Sequence, residues 1–281
     1  MIDCSVVLGT YNRLPLLQKT IESLVSPNIE IIINDAGSTD GTVEWLQKQN
    51  DSRIKLILSG KKSGVTRAYN ECFKLAEGKY VTWFSDDLLA HEDSVTKMCD
   101  FMSSLRPIDM GAFYINRGDE FTIPQFRGYP CPPVACMFTE TLKKYEYWNL
   151  DYPHYSQDLD INFKILRMGG RILSHKDLKV VHMPINDELK VNNINKHRQI
   201  GGPSKFQLMA GNYGKQLNSL YPRVLVDSPA LVKRFKEHYK NVDVHTEGAL
   251  EFDLVIRNKS IIFPRDLPAG VKKFGVQIIN G

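Results

Sequence analysis

The chain has 281 residues, 42% of them hydrophobic, which allows one large domain or one domain with an appendage. Its formal net charge of +4, from 36 basic and 32 acidic side chains, is too mild to argue for a nucleic-acid partner, and the longest basic clusters are only Lys61-Lys62 and Lys272-Lys273. Five cysteines without a C-x-x-C pair read as reduced thiols. Without an apolar run of about 18 residues or a secretory leader in residues 1–25, they predict a soluble, cytoplasmic protein, with peripheral contact to a membrane left open.

The first hundred residues alternate between two periods. Cys4–Leu8, Ile29–Ile33, Arg53–Leu58 and Lys79–Phe84 read as strands, with helical spacing over Leu14–Leu24, Val43–Gln49 and Val65–Ala76. Strands this apolar are buried on both faces, and their alternation with helices implies a parallel sheet. Ligands of such sheets gather at the carboxyl ends of the strands. Three of those ends are rich in polar groups: Thr10-Tyr11-Asn12-Arg13, Asn34-Asp35 and Ser85-Asp86-Asp87. From about residue 105 to 183 the pattern is mixed and partly antiparallel. Ala112–Ile115 reads as a strand and Phe121–Arg127 as a hairpin arm. Asp158–Met168 is a helix stopped by Gly169-Gly170, and Arg171–Ser174 and Lys179–His182 are short strands. Beyond residue 183 the signal weakens, with helical spacing over Lys205–Leu220 and Pro229–Tyr239 and two or three short strands after residue 249.

Each polar cluster has a structural reading beside a chemical one. Asp40 can cap the helix that follows it, which leaves Asp35 unexplained at a strand end. Asp86-Asp87 could be a solvated turn, yet adjacent carboxylates repel unless a cation relieves them, and hard divalent ions take such oxygen ligands. His182 closes a strand and would join a metal site only if that strand lay beside Asp87. Asp158 and Asp160 suit a helix N-terminus electrostatically, and either could instead serve as a general base on a rigid support. The Gly37–Gly41 segment lacks dinucleotide-binding spacing, and no phosphate loop or nucleophile-elbow motif occurs.

In order, VVLGTYNR, IEIIINDAGSTDGT, SGVTRAYNECFKLAEGKYVTWFSDD, QDLDINFKILRMGGRI and VVH resemble the family 2 inverting glycosyltransferases over about residues 2–183. The resemblance implies a GT-A fold: an α/β architecture with a mostly parallel nucleotide-binding sheet flanked by helices, a smaller mixed acceptor-side sheet and a C-terminal extension. It divides the chain into a glycosyltransferase domain over 1–183, split into a donor half (1–104) and an acceptor half (105–183), followed by 184–281. It assigns Thr10, Tyr11, Asn12, Arg13, Asp35, Gly64, Arg67 and Asp86 to the nucleotide and donor. Asp87 and His182 would hold Mn²⁺ or Mg²⁺, and Asp158 would be the general base. Ser85 replaces the first aspartate of the family's DxD motif, and Tyr69 stands where many members carry an arginine.

Gln157, Asp160 and Trp148 are acceptor-side candidates, and Lys196 and Arg198 are lid candidates that would contact the diphosphate. The implied reaction moves a sugar from a nucleotide-diphosphate donor, a UDP-sugar, to a hydroxyl of a glycan, lipid-linked or protein acceptor. Two other readings stay open. A sugar nucleotidyltransferase calls for a phosphate loop where Thr10–Arg13 stands, and a non-catalytic nucleotide- or sugar-binding protein is suggested by Ser85.

Overall fold

The computed structural model describes residues 2–184 apart from Gly118, Arg127, Gly128, Asp151, Pro153, Tyr155 and Ser156, together with five short strands between residues 223 and 278. The first part alternates as its periodicity predicts, through β1 (Cys4–Thr10), α1 (Leu14–Ser23), β2 (Ile29–Asp35), α2 (Thr42–Gln47), β3 (Ile54–Leu58), α3 (Val65–Lys74) and β4 (Tyr80–Trp83). There follow β5 (Leu88–Ala90), α4 (Ser94–Ser103), β6 (Met110–Ala112), β7 (Tyr114–Arg117), β8 (Glu120–Thr122), β9 (Gln125–Phe126) and β10 (Tyr129–Pro130). The chain then passes through β11 (Ala135–Phe138), α5 (Thr139–Lys144), α6 (Gln157–Arg167), β12 (Ile172–Leu173) and β13 (Lys179–His182).

A seven-stranded sheet runs in the order β12-β6-β11-β4-β1-β2-β3. β4, β1, β2 and β3 are mutually parallel, and β11 enters antiparallel to β4. Strand β2 explains why its isoleucines form an unbroken run. Ile31 and Ile33 join the apolar core on one face of the sheet and Ile32 joins the core on the other, all three fully buried. Each such side chain contributes about 1.5–3 kcal/mol relative to exposure.

The strand expected over Ala112–Ile115 is two strands in two sheets. Phe113, fully buried and packed edge-on against Phe84, lies between them: β6 stays in the large sheet and β7 joins β5, β13 and β8 in a second sheet of four. Strands of the supposed acceptor half, β6, β11 and β12, therefore extend the donor-side sheet. Helix α6 ends as its glycines predict: Gly169 adopts φ +79°, and the Gly170 N–H donates to the Ile165 carbonyl at 3.0 Å.

Contacts divide the chain into two compact units, residues 1–125 with 130–197, and residues 126–129 with 198–281. The second contains a sheet formed by β14 (Arg223–Val226), β15 (Asp243–His245), β16 (Leu254–Arg257), β17 (Ser260–Ile261) and β18 (Gln277–Ile278), mostly parallel. The helices expected over 205–220 and 229–239 lie outside the described residues. Among the described residues, no helix is long and apolar enough to cross a membrane, and none of the five cysteines is in a disulfide.

Candidate active site

The turn after β2 is held by its own polar groups. The buried Asp35 carboxylate accepts the N–H groups of Gly37 and Ser38, both at 2.9 Å, and the Ser38 hydroxyl at 2.5 Å. Gly37 has φ +85°, and a Cβ there would lie 2.6 Å from the Gly60 carbonyl oxygen, so both backbone conformation and space require glycine. Asp40 serves two helices at once. Its Oδ1 accepts the Thr42 N–H at 3.1 Å at the start of α2, and its Oδ2 accepts the Leu14 N–H at 3.1 Å at the start of α1. Asn12 joins the same two loops, since its Oδ1 accepts the Thr39 N–H at 2.7 Å and its own N–H donates to the Ser38 hydroxyl at 2.9 Å. The many polar side chains of this stretch thus fasten the β1–α1 loop to the β2–α2 loop.

At the end of β4 the two acidic side chains have different surroundings. Asp86 is 3% exposed; its Oδ2 accepts the Thr10 hydroxyl at 2.9 Å and its Oδ1 accepts Arg13 Nη1 at 3.0 Å. Burial pushes the Asp86 carboxyl up to about 6, with the Arg13 charge opposing and the Asp87 charge adding to the rise. Burial also works against ionisation of Asp87, but hydrogen bonds from His182 and Ser85 and the charges of His182 and Arg13 outweigh it. The Asp87 carboxyl is therefore held below its ordinary value.

Strand β13 runs antiparallel to β5 with His182 opposite Leu88, which carries His182 Nε2 to 3.3 Å from Asp87 Oδ2. The condition set for His182 as a ligand candidate is therefore met. The Ser85 hydroxyl donates to Asp87 Oδ1, so the residue replacing the motif's first aspartate orients the second acid. Arg13 Nη1 stands 3.9 Å from Asp87 Oδ2. A carboxylate oxygen beside an imidazole nitrogen suits Mn²⁺, and donors about 3 Å apart match adjacent positions around an octahedral ion. No group of three or more His, Cys, Asp or Glu side chains suited to a metal occurs among the described residues. The pair would fit an ion that takes its remaining ligands from phosphate oxygens or water.

A cavity of about 200 Å³ opens along the carboxyl ends of the parallel strands. Of the residues expected at the donor, it brings together Thr10, Tyr11, Arg13, Gly64 and Asp86. Asn12 and Asp35 shape the loops without lining it, while Asn34 and Ala36 on either side of Asp35 do line it. Arg67 is exposed on α3 and absent from the wall, to which that helix contributes Val65, Ala68 and Tyr69. Gln157, Asp158 and Asp160 occupy the first turn of α6, partly exposed, and are not wall residues.

Trp148, an acceptor-side candidate, lies in the core and is not a wall residue. It is 3% exposed, stacks on Tyr69 at 4.9 Å and meets Phe73 and Trp83 edge-on. Lys196 and Arg198 lie outside the described residues. Two basic wall residues have no assignment from the sequence, Lys62 and His154. The Lys62 ammonium sits 3.5 Å from the Tyr11 ring centroid, a contact between loops that no local pattern announces. His154 lies in a stretch without periodicity, so nothing local distinguishes it.

The family model described as Glycosyl transferase family 2 matches residues 5–179. Among curated proteins, the chain is 33% identical over 103 residues to the E. coli UDP-Glc:alpha-D-GlcNAc-diphosphoundecaprenol beta-1,3-glucosyltransferase WfaP, covering 36% of this chain and 41% of that one. It is 39% identical over 94 residues to the Campylobacter jejuni GalNAc(5)-diNAcBac-PP-undecaprenol beta-1,3-glucosyltransferase, covering 31% of this chain and 30% of that one. The chain thus spans less than half the length of these curated relatives. Among solved structures, residues 1-349 of S. aureus TarS in complex with UDP-GlcNAc superpose with a TM-score of 0.56 at 20% identity, over 66% of this chain and 60% of that one. The Pyrobaculum calidifontis mannosyltransferase PcManGT, in complex with GDP-Man and Mn²⁺, superposes with a TM-score of 0.54 at 19% identity, over 70% of this chain and 61% of that one. At these identities the two structures establish a shared fold.

Proposed function

The chain belongs to glycosyltransferase family 2, and from that premise we propose that it transfers a sugar from a UDP-sugar to an acceptor hydroxyl, with inversion and with a divalent metal. We take residues 1–183 as the catalytic domain. The observation that carries the reading is the pairing of Asp87 Oδ2 with His182 Nε2 at 3.3 Å, next to a cavity walled by Thr10, Tyr11, Arg13 and Asp86. The base and ribose occupy the cavity from Tyr11 and Asn34 to Asp86. Asp87 and His182 would hold Mn²⁺ or Mg²⁺, and a divalent ion there would supply positive charge to the leaving diphosphate, an effect of roughly several kcal/mol. Arg13 keeps Asp86 and Asp87 in place and adds positive charge at the same end. Asp158, on the first turn of α6, takes the proton of the acceptor hydroxyl as its oxygen attacks the anomeric carbon, a contribution of about 10²–10⁴-fold. One base and one displacement invert that carbon.

The names of the E. coli and C. jejuni relatives support an acceptor glycan carried on an isoprenoid diphosphate. Such an acceptor favours work at the cytoplasmic face of a membrane, with the protein attached peripherally.

The test is a thermal shift with a panel of nucleoside diphosphates, with Mn²⁺ and then with EDTA. UDP at about 100 times its dissociation constant should stabilise the chain by about 2.7 kcal/mol, a rise of roughly 5–10 °C, and only with the metal present. A shift with GDP in place of UDP changes the donor; no shift with any nucleotide sinks the reading. Asp158→Asn should keep the shift and abolish transfer. Retained transfer removes Asp158 as the base.

A further inference from the structure

One wall of the donor cavity comes from none of the strand ends and from no helix. His154 belongs to the segment between α5 and α6, and α3 fastens the chain just ahead of it. Asn70 Nδ2 donates to the Trp148 carbonyl at 2.7 Å, and the Trp148 N–H donates back to Asn70 Oδ1 at 3.0 Å. The Thr66 hydroxyl donates to the Tyr152 carbonyl. Tyr69 stacks on Trp148 and donates its own hydroxyl to the Phe84 carbonyl at the end of β4. Thr66, Tyr69, Asn70, Trp148 and Tyr152 are all buried. Two residues ahead of His154, Trp148 and Tyr152, are therefore held in the core.

Resting on the donor-site reading above, we propose that His154 is a donor-specificity residue that contacts the sugar of the nucleotide-sugar, and that Thr66 and Asn70 position it. Two arguments select the sugar over the phosphates. Tyr69 ties this segment to the β4 end of the cavity, where Ser85 and Asp86 stand, and the same segment leads four residues later to Asp158. The donor part that must lie between the metal end and the base is the sugar, because its anomeric carbon is attacked from one side and left from the other. The second argument is chemical. Phosphate oxygens only accept hydrogen bonds, and Arg13 and Lys62 already present cations to this cavity. Neutral imidazole both donates and accepts, which suits a hydroxyl and can tell one hydroxyl configuration from another.

The test titrates the full chain, with Mn²⁺, with UDP and separately with UDP-glucose, UDP-galactose and UDP-N-acetylglucosamine. The intact chain should bind one UDP-sugar more tightly than the others. His154→Ala should leave UDP affinity within about twofold and weaken that UDP-sugar about tenfold, the loss of one good hydrogen bond. His154→Gln, which keeps a donor and an acceptor, should recover part of the preference, and Asn70→Ala should reproduce the selective loss. An unchanged ratio of UDP-sugar to UDP affinity in His154→Ala overturns the proposal. So does an equal loss of both, which would make the residue structural or a phosphate ligand. Failure of the intact chain to bind UDP overturns the donor-site reading itself. Asp158→Asn with normal sugar preference but no transfer keeps the two apart.

Discussion

At the scale of single residues, the site depends on side chains that hold other groups in place as much as on those facing the cavity. Asp35 spends its carboxylate on the N–H groups and hydroxyl of its own turn, and Gly37 lets that turn pass against Gly60. Gly37→Ala would force a Cβ into the Gly60 carbonyl at an unfavourable φ. It should cost roughly 1–3 kcal/mol in urea unfolding and weaken UDP binding, since Asn34 and Ala36 would move with the turn. Asp87→Asn removes the charge that faces His182 and Arg13. The Mn²⁺-dependent part of the UDP thermal shift should vanish, and turnover should fall by about 10²-fold or more. An unaltered metal response in this variant would take Asp87 out of the metal site.

At the scale of elements, small anchors join pieces that lie far apart in sequence. Asp109, fully buried just before β6, accepts Arg106 at 2.7 Å, Arg171 at 2.7 Å and the Arg171 N–H at 2.9 Å, tying the start of β6 to the chain entering β12. Burial opposes its ionisation, and the Arg106 and Arg171 hydrogen bonds outweigh that, so its carboxyl is held far below the ordinary range. Because the folded value is depressed, the stability it contributes is complete above the unfolded value of about 3.9. It is lost as pH falls through the folded one. Asp109→Ala should cost about 3 kcal/mol at neutral pH and flatten this part of the acid dependence. Urea midpoints measured across the acid range test both, and a variant as stable as the parent at neutral pH contradicts the anchor. Phe113 sits at the same scale, a buried residue at the point where the chain passes from one sheet to the other.

At the scale of the whole molecule, the chain has two compact units, and the candidate site lies in the one made of residues 1–125 and 130–197. Calorimetry should therefore resolve two transitions, and UDP with Mn²⁺ should raise only one of them, by the several degrees expected of a tight ligand. A single transition, or a shift of both, would mean that the units unfold together.

The amino-acid sequence by itself determined the alternating half, the polar strand ends and the order of the motifs. These follow from local periodicity and turn chemistry, which need no distant partner to be read. The seven-stranded order was legible only in part. Strand β11 is only four residues long and follows a proline-rich stretch, and β6 and β7 look continuous until Phe113 is seen in the core. Asp87 and His182 were legible as candidates, but their meeting required β13 to pair with β5. Trp148 was legible as an aromatic near Asp158, but its stacking on Tyr69 inside the core was not. His154 carried no signal, and Lys62 stood out only as half of a short basic pair. Their positions come from hydrogen bonds, stacking and loop contacts between segments separated in the chain, and such contacts exist only after the core has closed.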